Sequence, residues 1–255
     1  MNMIDAHIHL DHYHDEEIKK LFLDSAHIEA LISVSFHLDS SKRNLLLSQK
    51  YQKVKPAFGY HPEQALPSVS ELNVLLKWMD DHRDEMIAVG EVGLPYYLRQ
   101  EQGISLAPYL EVLEAFIRMA KKWDKPIVLH AVYDDAPLVC DLLEKYSGSK
   151  AHFHWFKGEQ KTIDRMARNG YHISITPDVV YEQEIQQLVR VYPLELMMVE
   201  TDGPWPFEGP FSGKMTHPNM MGESIRKMAL IKKLSVTEVS AVLLKNTKRF
   251  YQLIS

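Results

Sequence analysis

Eight short runs rich in β-branched and other apolar residues alternate with longer amphipathic stretches along this 255-residue chain, and that alternation leaves few folds open. The runs are "MIDAHIHL", "ALISVSF", "VKPAFGYHP", "MIAVGEVGLP", "KPIVLHAVY", "KAHFHWFKG", "YHISITPDV" and "LELMMVETDGP". Helical spacing of apolar residues follows them, as in "EEIKKLFLDS", "SVSELNVLLKWMDDHRD" and "EQKTIDRMARNG", the last ending at a glycine as helices often do. "SSKRNLLLSQKYQK" reads as a helix with a serine N-cap. After the fourth run a loop is expected before the helix "LAPYLEVLEAFIRMAKKW", and helices near 219–233 and 235–251 close the chain. Such repetition builds a parallel sheet. Eight units over about 250 residues predict an α/β fold, a (β/α)8 TIM barrel forming a single domain over 1–255. A doubly wound open sheet would normally carry a glycine-rich loop after its first strand, and "HLDHYHDEE" contains no glycine.

Composition narrows the function classes. The formal charge is −5 and no long basic run occurs, so nothing here grips duplex nucleic acid along its length. The one cysteine, Cys140, cannot form an internal disulfide and reads as a small buried apolar residue, which fits a reducing compartment. No signal-like segment and no apolar run of roughly 18 residues is visible. The expectation is a cytoplasmic protein with no membrane association and no obligate protein partner.

In the first run Asp5, His7 and His9 occupy alternate positions, so they are expected on one face, with Ile4, Ala6 and Ile8 on the other. A polar edge strand could look like this. The other strand ends argue against it: His61 in "GYHP", Glu91 in "GEVG", His130, His154 with His152 one step deeper, and Asp202 in "ETDGP". Strand C-termini of a barrel converge on its mouth. Imidazole with carboxylate suits zinc, and also manganese, iron or nickel; it suits magnesium less well.

The stretches "DAHIHLD", "FGYHPE", "GEVGL", "LHA", "HWFKG", "ETDGP" and "NTKRFYQL" resemble, in order and over nearly the whole chain, the TatD family of metal-dependent hydrolases (TatD-type deoxyribonucleases) of the amidohydrolase superfamily. The first stretch alone is shared across the superfamily; the set together is specific. The resemblance implies two divalent metal ions, zinc first, with manganese, magnesium, iron or nickel as alternatives. His7, His9, Glu91 and Asp202 would hold one ion, and Glu91, His130 and His154 the other. Many superfamily relatives bridge their ions with a carbamylated lysine, but here Glu91 has no lysine beside it. His154 matches the family's His-x-Phe-x-Gly pattern, with His152 as the alternative. Asp202, Glu91 and His61 would carry catalysis: Asp202 as general base, His61 on the phosphate or leaving group. Loop position adds Tyr96, Arg99, Lys214 and His217 as substrate contacts, and Trp205 and Phe207 as residues that narrow the mouth or stack on a base. One departure stands out: Pro95 replaces the family's usual aspartate, removing a carboxylate and a backbone donor.

The expected function is therefore a metal-dependent deoxyribonuclease or phosphodiesterase acting on DNA ends or short oligonucleotides. The alternative is a hydrolase of another small ester, lactone, amide or phosphate monoester on the same site. A third reading, a non-catalytic scaffold stabilised by metal, leaves the complete donor set without a purpose.

Overall fold

The computed structural model describes residues 1–146 and 150–253. Eight parallel strands run in sequential order: β1 Met3–Ile8, β2 Ile28–Ser33, β3 Val54–Phe58, β4 Ala88–Gly93, β5 Ile127–His130, β6 Ala151–Phe153, β7 His172–Ile175 and β8 Met197–Val199. Parallel neighbours need crossovers, so every strand C-terminus points to the same end. The first and last strands meet there. Asp202 N–H donates to the His7 carbonyl at 2.9 Å, and His9 N–H to the Gly203 carbonyl at 2.7 Å. The buried Asp5 carboxylate accepts the Thr201 N–H at 2.9 Å and the Thr201 hydroxyl. The result is a nearly closed (β/α)8 barrel.

The helices cover the barrel through apolar stripes. On α5, Ala107–Lys122, the buried residues are Tyr109, Leu113, Phe116, Ile117 and Ala120, one face of a 3.6-residue period. Two sequence expectations are corrected. Helix α2, Leu38–Lys50, starts ahead of its serines: His37 is the N-cap and its side chain accepts the Ser40 N–H at 3.3 Å. Ser40 is engaged elsewhere, its hydroxyl donating to Asp11 at 2.5 Å. The expected loop after β4 contains a short helix, α4, Tyr96–Gln102. None of its residues is buried, so it has no apolar stripe to read.

Strict alternation also fails in β1. The pairing of β1 with β2 slips between Asp5 and Ile8. Ile4 and Ala6 pack with Ala30, Ala57, Val128 and Tyr251, whereas Ile8 belongs to the larger cluster beneath the helices. Irregularities of this kind re-aim side chains beside functional sites. Asp5 is thereby spent on Thr201, and His7 and His9 are delivered to the mouth.

The barrel interior is half apolar and half polar. Its polar side is a hydrogen-bonded chain in which His152 meets the Tyr251 hydroxyl at 2.7 Å and the Ser174 hydroxyl at 2.5 Å, and Ser174 donates to Glu200. His152 is thus committed to the interior rather than to the mouth. His172 is buried against Phe250, with ring centroids 4.7 Å apart. Neither of its ring nitrogens has a hydrogen-bond partner among the described residues.

Gly93 sits at φ 157°, and a Cβ there would lie 1.9 Å from the His130 carbonyl oxygen. Gly93→Ala should destabilise the fold by more than about 3 kcal/mol in denaturant unfolding, because backbone rather than a side-chain tip must move. Burial, followed by the nearby Arg249, pushes the His172 pKa down to about 4. Between that value and the unfolded value near 6.5 the unfolded chain binds more protons, so stability falls as pH drops through this window. His172→Leu should flatten that acid-side decline in urea unfolding measured from pH 7 to pH 4 by on the order of 2–3 kcal/mol.

Candidate metal centre

The barrel brings all the strand-end candidates together. His7 and His9 come from the end of β1, Glu91 from within β4 and His130 from the last position of β5. His61, His154 and Asp202 follow β3, β6 and β8. Glu91 is fully buried and lies at the centre. Its Oε2 is 3.2 Å from His7 Nε2 and 3.1 Å from His9 Nε2. Its Oε1 is 3.1 Å from His130 Nδ1, 2.7 Å from His154 Nε2 and 3.3 Å from His61 Nε2. Asp202 Oδ1 closes the first group at 3.4 Å from His7 Nε2 and 3.7 Å from His9 Nε2.

This donor set fits divalent cations. Four donors bound at about 2.0–2.2 Å in a tetrahedron lie roughly 3.3–3.6 Å apart. The nitrogen–nitrogen contacts have this spacing, 3.3 Å for His7 Nε2 to His9 Nε2 and 3.2 Å for His130 Nδ1 to His154 Nε2. Glu91 Oε2 and Asp202 Oδ1 are buried oxygens without a hydrogen-bond partner among the described residues. Burial opposes charge on Glu91, but His154, His61 and His7 outweigh it and hold the carboxylate's pKa well below its usual range. Burial likewise opposes a proton on His7, yet Glu91 and Asp202 raise that imidazole well above its usual value. The cluster draws positive charge to itself. Burial, against the pull of Glu91, holds His154 down at about 4, which keeps it a neutral donor at physiological pH. Asp202 is held at φ 49°, a strained region for a residue with a side chain.

Sequence reasoning missed Glu63. Its Oε1 lies 3.1 Å from His130 Nε2, and His130 Nδ1 lies 3.1 Å from Glu91 Oε1 and 3.2 Å from His154 Nε2, so Glu63 holds the imidazole from the rear with Nδ1 turned to the cluster. The same carboxylate accepts the N–H groups of Tyr97 at 2.9 Å and Leu98 at 2.7 Å. It therefore caps α4, whose own N-cap, Pro95, offers no side-chain bond. The only sequence signal was an acidic residue two positions beyond His61, in "GYHPE".

A cavity of about 560 Å³ opens above the cluster. His61 and Trp205 line it, as does Phe207. His61 stacks on Phe36 with ring centroids 4.2 Å apart. Tyr96 and Arg99 are not among its lining residues. Tyr97 takes the wall position instead, and Arg99 turns away to pair with the buried Asp135. Lys214 and His217 also lie off the cavity: Lys214 bonds the Pro210 carbonyl, and His217 accepts the Asn219 N–H.

A (β/α)8 barrel with imidazoles and carboxylates gathered at its strand ends is the framework of a metal-dependent hydrolase. The chain matches the family described as TatD related DNase over residues 4–252, and it belongs to the TatD family. It is 39% identical over 253 residues to a Haemophilus influenzae protein described as an uncharacterized metal-dependent hydrolase, covering 98% of this chain and 100% of that one. It is 29% identical to the human deoxyribonuclease TATDN3, covering 98% and 95%. The fold superposes on Escherichia coli YjjV, a TatD homologue, with a TM-score of 0.86 at 22% identity, covering 98% of each chain.

Removing the Glu63 carboxylate should act on metal binding more than on folding. In calorimetric titration with zinc or manganese, Glu63→Ala is expected to weaken divalent-ion affinity about 10- to 100-fold. Its melting temperature should fall by only a few degrees, the cost of one cap. Unchanged affinity would reduce Glu63 to a helix cap.

Proposed function

We propose that this chain is a phosphodiesterase that hydrolyses DNA ends or short oligonucleotides at a centre of two divalent ions, zinc foremost. The observation that supports this best is the division of Glu91 between two donor groups, one oxygen facing His7 and His9 and the other facing His130 and His154. His7, His9, Glu91 and Asp202 would hold one ion, and Glu91, His130 and His154 the other. Such a pair supplies Lewis acidity at the phosphoryl oxygens and a water of lowered pKa.

The chain's own residues do the rest. Asp202 is the carboxylate of the cluster that reaches the cavity, its side chain 13% exposed while that of Glu91 is 0% exposed. Burial opposes its ionisation, but His7 and His154 hold its pKa below the usual value, so it is ionised at neutral pH and can accept a proton from the attacking water. His61 reaches Glu91 through Nε2 from the cavity floor, and burial, only partly offset by Glu91, lowers its pKa. It is placed to bond a phosphate oxygen or the leaving oxygen. In the overall step the bond from phosphorus to the leaving oxygen breaks and water supplies the new oxygen and the proton.

A second reading, hydrolysis of a small ester or phosphate monoester, draws on the acidic rim, where Glu182 and Glu208 line the mouth. A substrate panel separates the two. Wild-type protein given zinc, manganese or magnesium should degrade single-stranded oligonucleotides. Asp202→Asn should lower kcat by about 100-fold or more. Elemental analysis should find two ions per chain, and Glu91→Ala should lose most of them. No degradation with any metal, in a sample shown to hold two ions, would sink the nuclease reading. Turnover of small esters far above that of oligonucleotides would replace it.

A further inference from the structure

We infer that the cavity selects a dinucleotide with a terminal phosphate, Lys157 holding that phosphate and Trp205 stacking on a base. This rests on the phosphodiesterase reading and narrows it to a substrate size.

Among the described residues, Lys157 is the only lysine or arginine lining the cavity. Its ammonium lies 4.2 Å from the Trp155 ring centroid, and no ion pair among the described residues holds it elsewhere. The indole beneath it is fixed at both ends: Trp155 N–H donates to Glu200 at 2.8 Å, and Nε1–H donates to Asp178 at 2.9 Å. A lysine laid over a fixed aromatic face loses less freedom when it captures an anion than one free in solvent. Trp155 directly follows His154, so this cation sits beside the second donor group.

Trp205 flanks the first donor group. Its ring is 6.1 Å from that of His9 and 5.6 Å from that of His12, and the residue is 43% exposed. Its backbone is pinned by the Thr216 hydroxyl at 2.5 Å. A pinned backbone and an exposed indole make a platform for a planar base, worth about 1–3 kcal/mol in stacking.

Charge sets the length limit. Glu182 and Glu208 are exposed where the cavity opens, so one cation inside faces two carboxylates at the rim. A nucleic-acid groove tracks successive phosphates with successive cations. Here the second and later phosphates of a long strand would meet carboxylates. A volume of about 560 Å³ also lies in the range of small-molecule pockets.

The test is turnover against length, using metal-loaded protein, thymidine 5′-(p-nitrophenyl phosphate), which lacks a terminal phosphate, and 5′-phosphorylated thymidine dinucleotide, 10-mers and 30-mers at one salt concentration. The expected kcat/KM per end falls at least about 10-fold from dinucleotide to 30-mer. Lys157→Met should raise KM for the dinucleotide about 10-fold, and Trp205→Ala should do the same for base-bearing substrates. The double change Glu182→Gln, Glu208→Gln should raise 30-mer turnover relative to the dinucleotide. A 30-mer cleaved as well as the dinucleotide, or a KM indifferent to Lys157→Met, overturns this inference while leaving the phosphodiesterase reading intact. Failure to cleave a phosphodiester of any length overturns both.

Discussion

A carboxylate buried in the middle of a barrel must be matched by positive charge or hydrogen-bond donors, and the arrangement of this protein follows from how Glu91 is matched. Histidines from β1, β5 and the segments after β3 and β6 surround it, and each of its oxygens serves a different set. These residues are far apart in the chain, and the nearly closed circuit of strands brings them to one point. Closure depends on the junction of β1 with the segment after β8, where Asp5 holds Thr201 and the backbones of His7 and His9 bond Asp202 and Gly203. Burial pushes the Asp5 carboxyl up to about 7 even against the bonds from Thr201 and His7. The junction that aligns the first and last residues of the cluster is thus itself a costly buried polar contact. Its pull is toward geometry at the mouth rather than toward stability alone.

The interior below the cluster explains why the polar groups do not spread downward. Small residues at Ala6, Ala30, Ala57 and Ala88 let the apolar side of the barrel close tightly around Tyr251. On the other side, His152, Ser174 and Glu200 satisfy one another. Burial, only partly countered by His7, raises the Glu200 carboxyl well above its usual pKa. The same carboxyl group accepts the Trp155 N–H at 2.8 Å and so fixes the residue that follows His154.

How much of this was legible in the sequence depends on how each residue is positioned. Strand ends are fixed by periodicity, so His7, His9, Glu91, His130, His154 and Asp202 could be located once eight strands were counted. The slip in β1 was hidden because it changes which neighbours a residue meets, not which residues are apolar; Ile8 and Ile4 look alike in sequence yet enter different clusters. Helix α4 was hidden because it buries nothing. The placing of Arg99 was hidden for a related reason. Loop position suggested that it met substrate, but its destination depends on Asp135, which lies on the helix after β5 and can be matched to it only in three dimensions. Glu63 and Lys157 lie in "GYHPE" and "HWFKG", where no periodicity or spacing marks them apart from the neighbouring histidines. The contacts of Glu63 come from backbone amides of the turn after β4, and that of Lys157 from the Trp155 ring of its own motif, whose facing only the fold fixes.

Glu63 also links two parts of the protein that the sequence treats as separate. One carboxylate orients His130 from the rear and holds the first amides of α4. Tyr97, which stands on that first turn, forms part of the cavity wall and lies near Trp155, with ring centroids 6.0 Å apart. A shift of the wall would therefore drag on the group that holds His130, and a change at His130 would loosen the wall. With proline at position 95, α4 has no side chain of its own to cap it, so the helix depends on Glu63 for its start. The departure from the family pattern thus does more than delete an aspartate. It makes the turn that forms the cavity wall depend on the same carboxylate that contacts His130, so the shape of the cavity and the placing of His130 are coupled through one side chain.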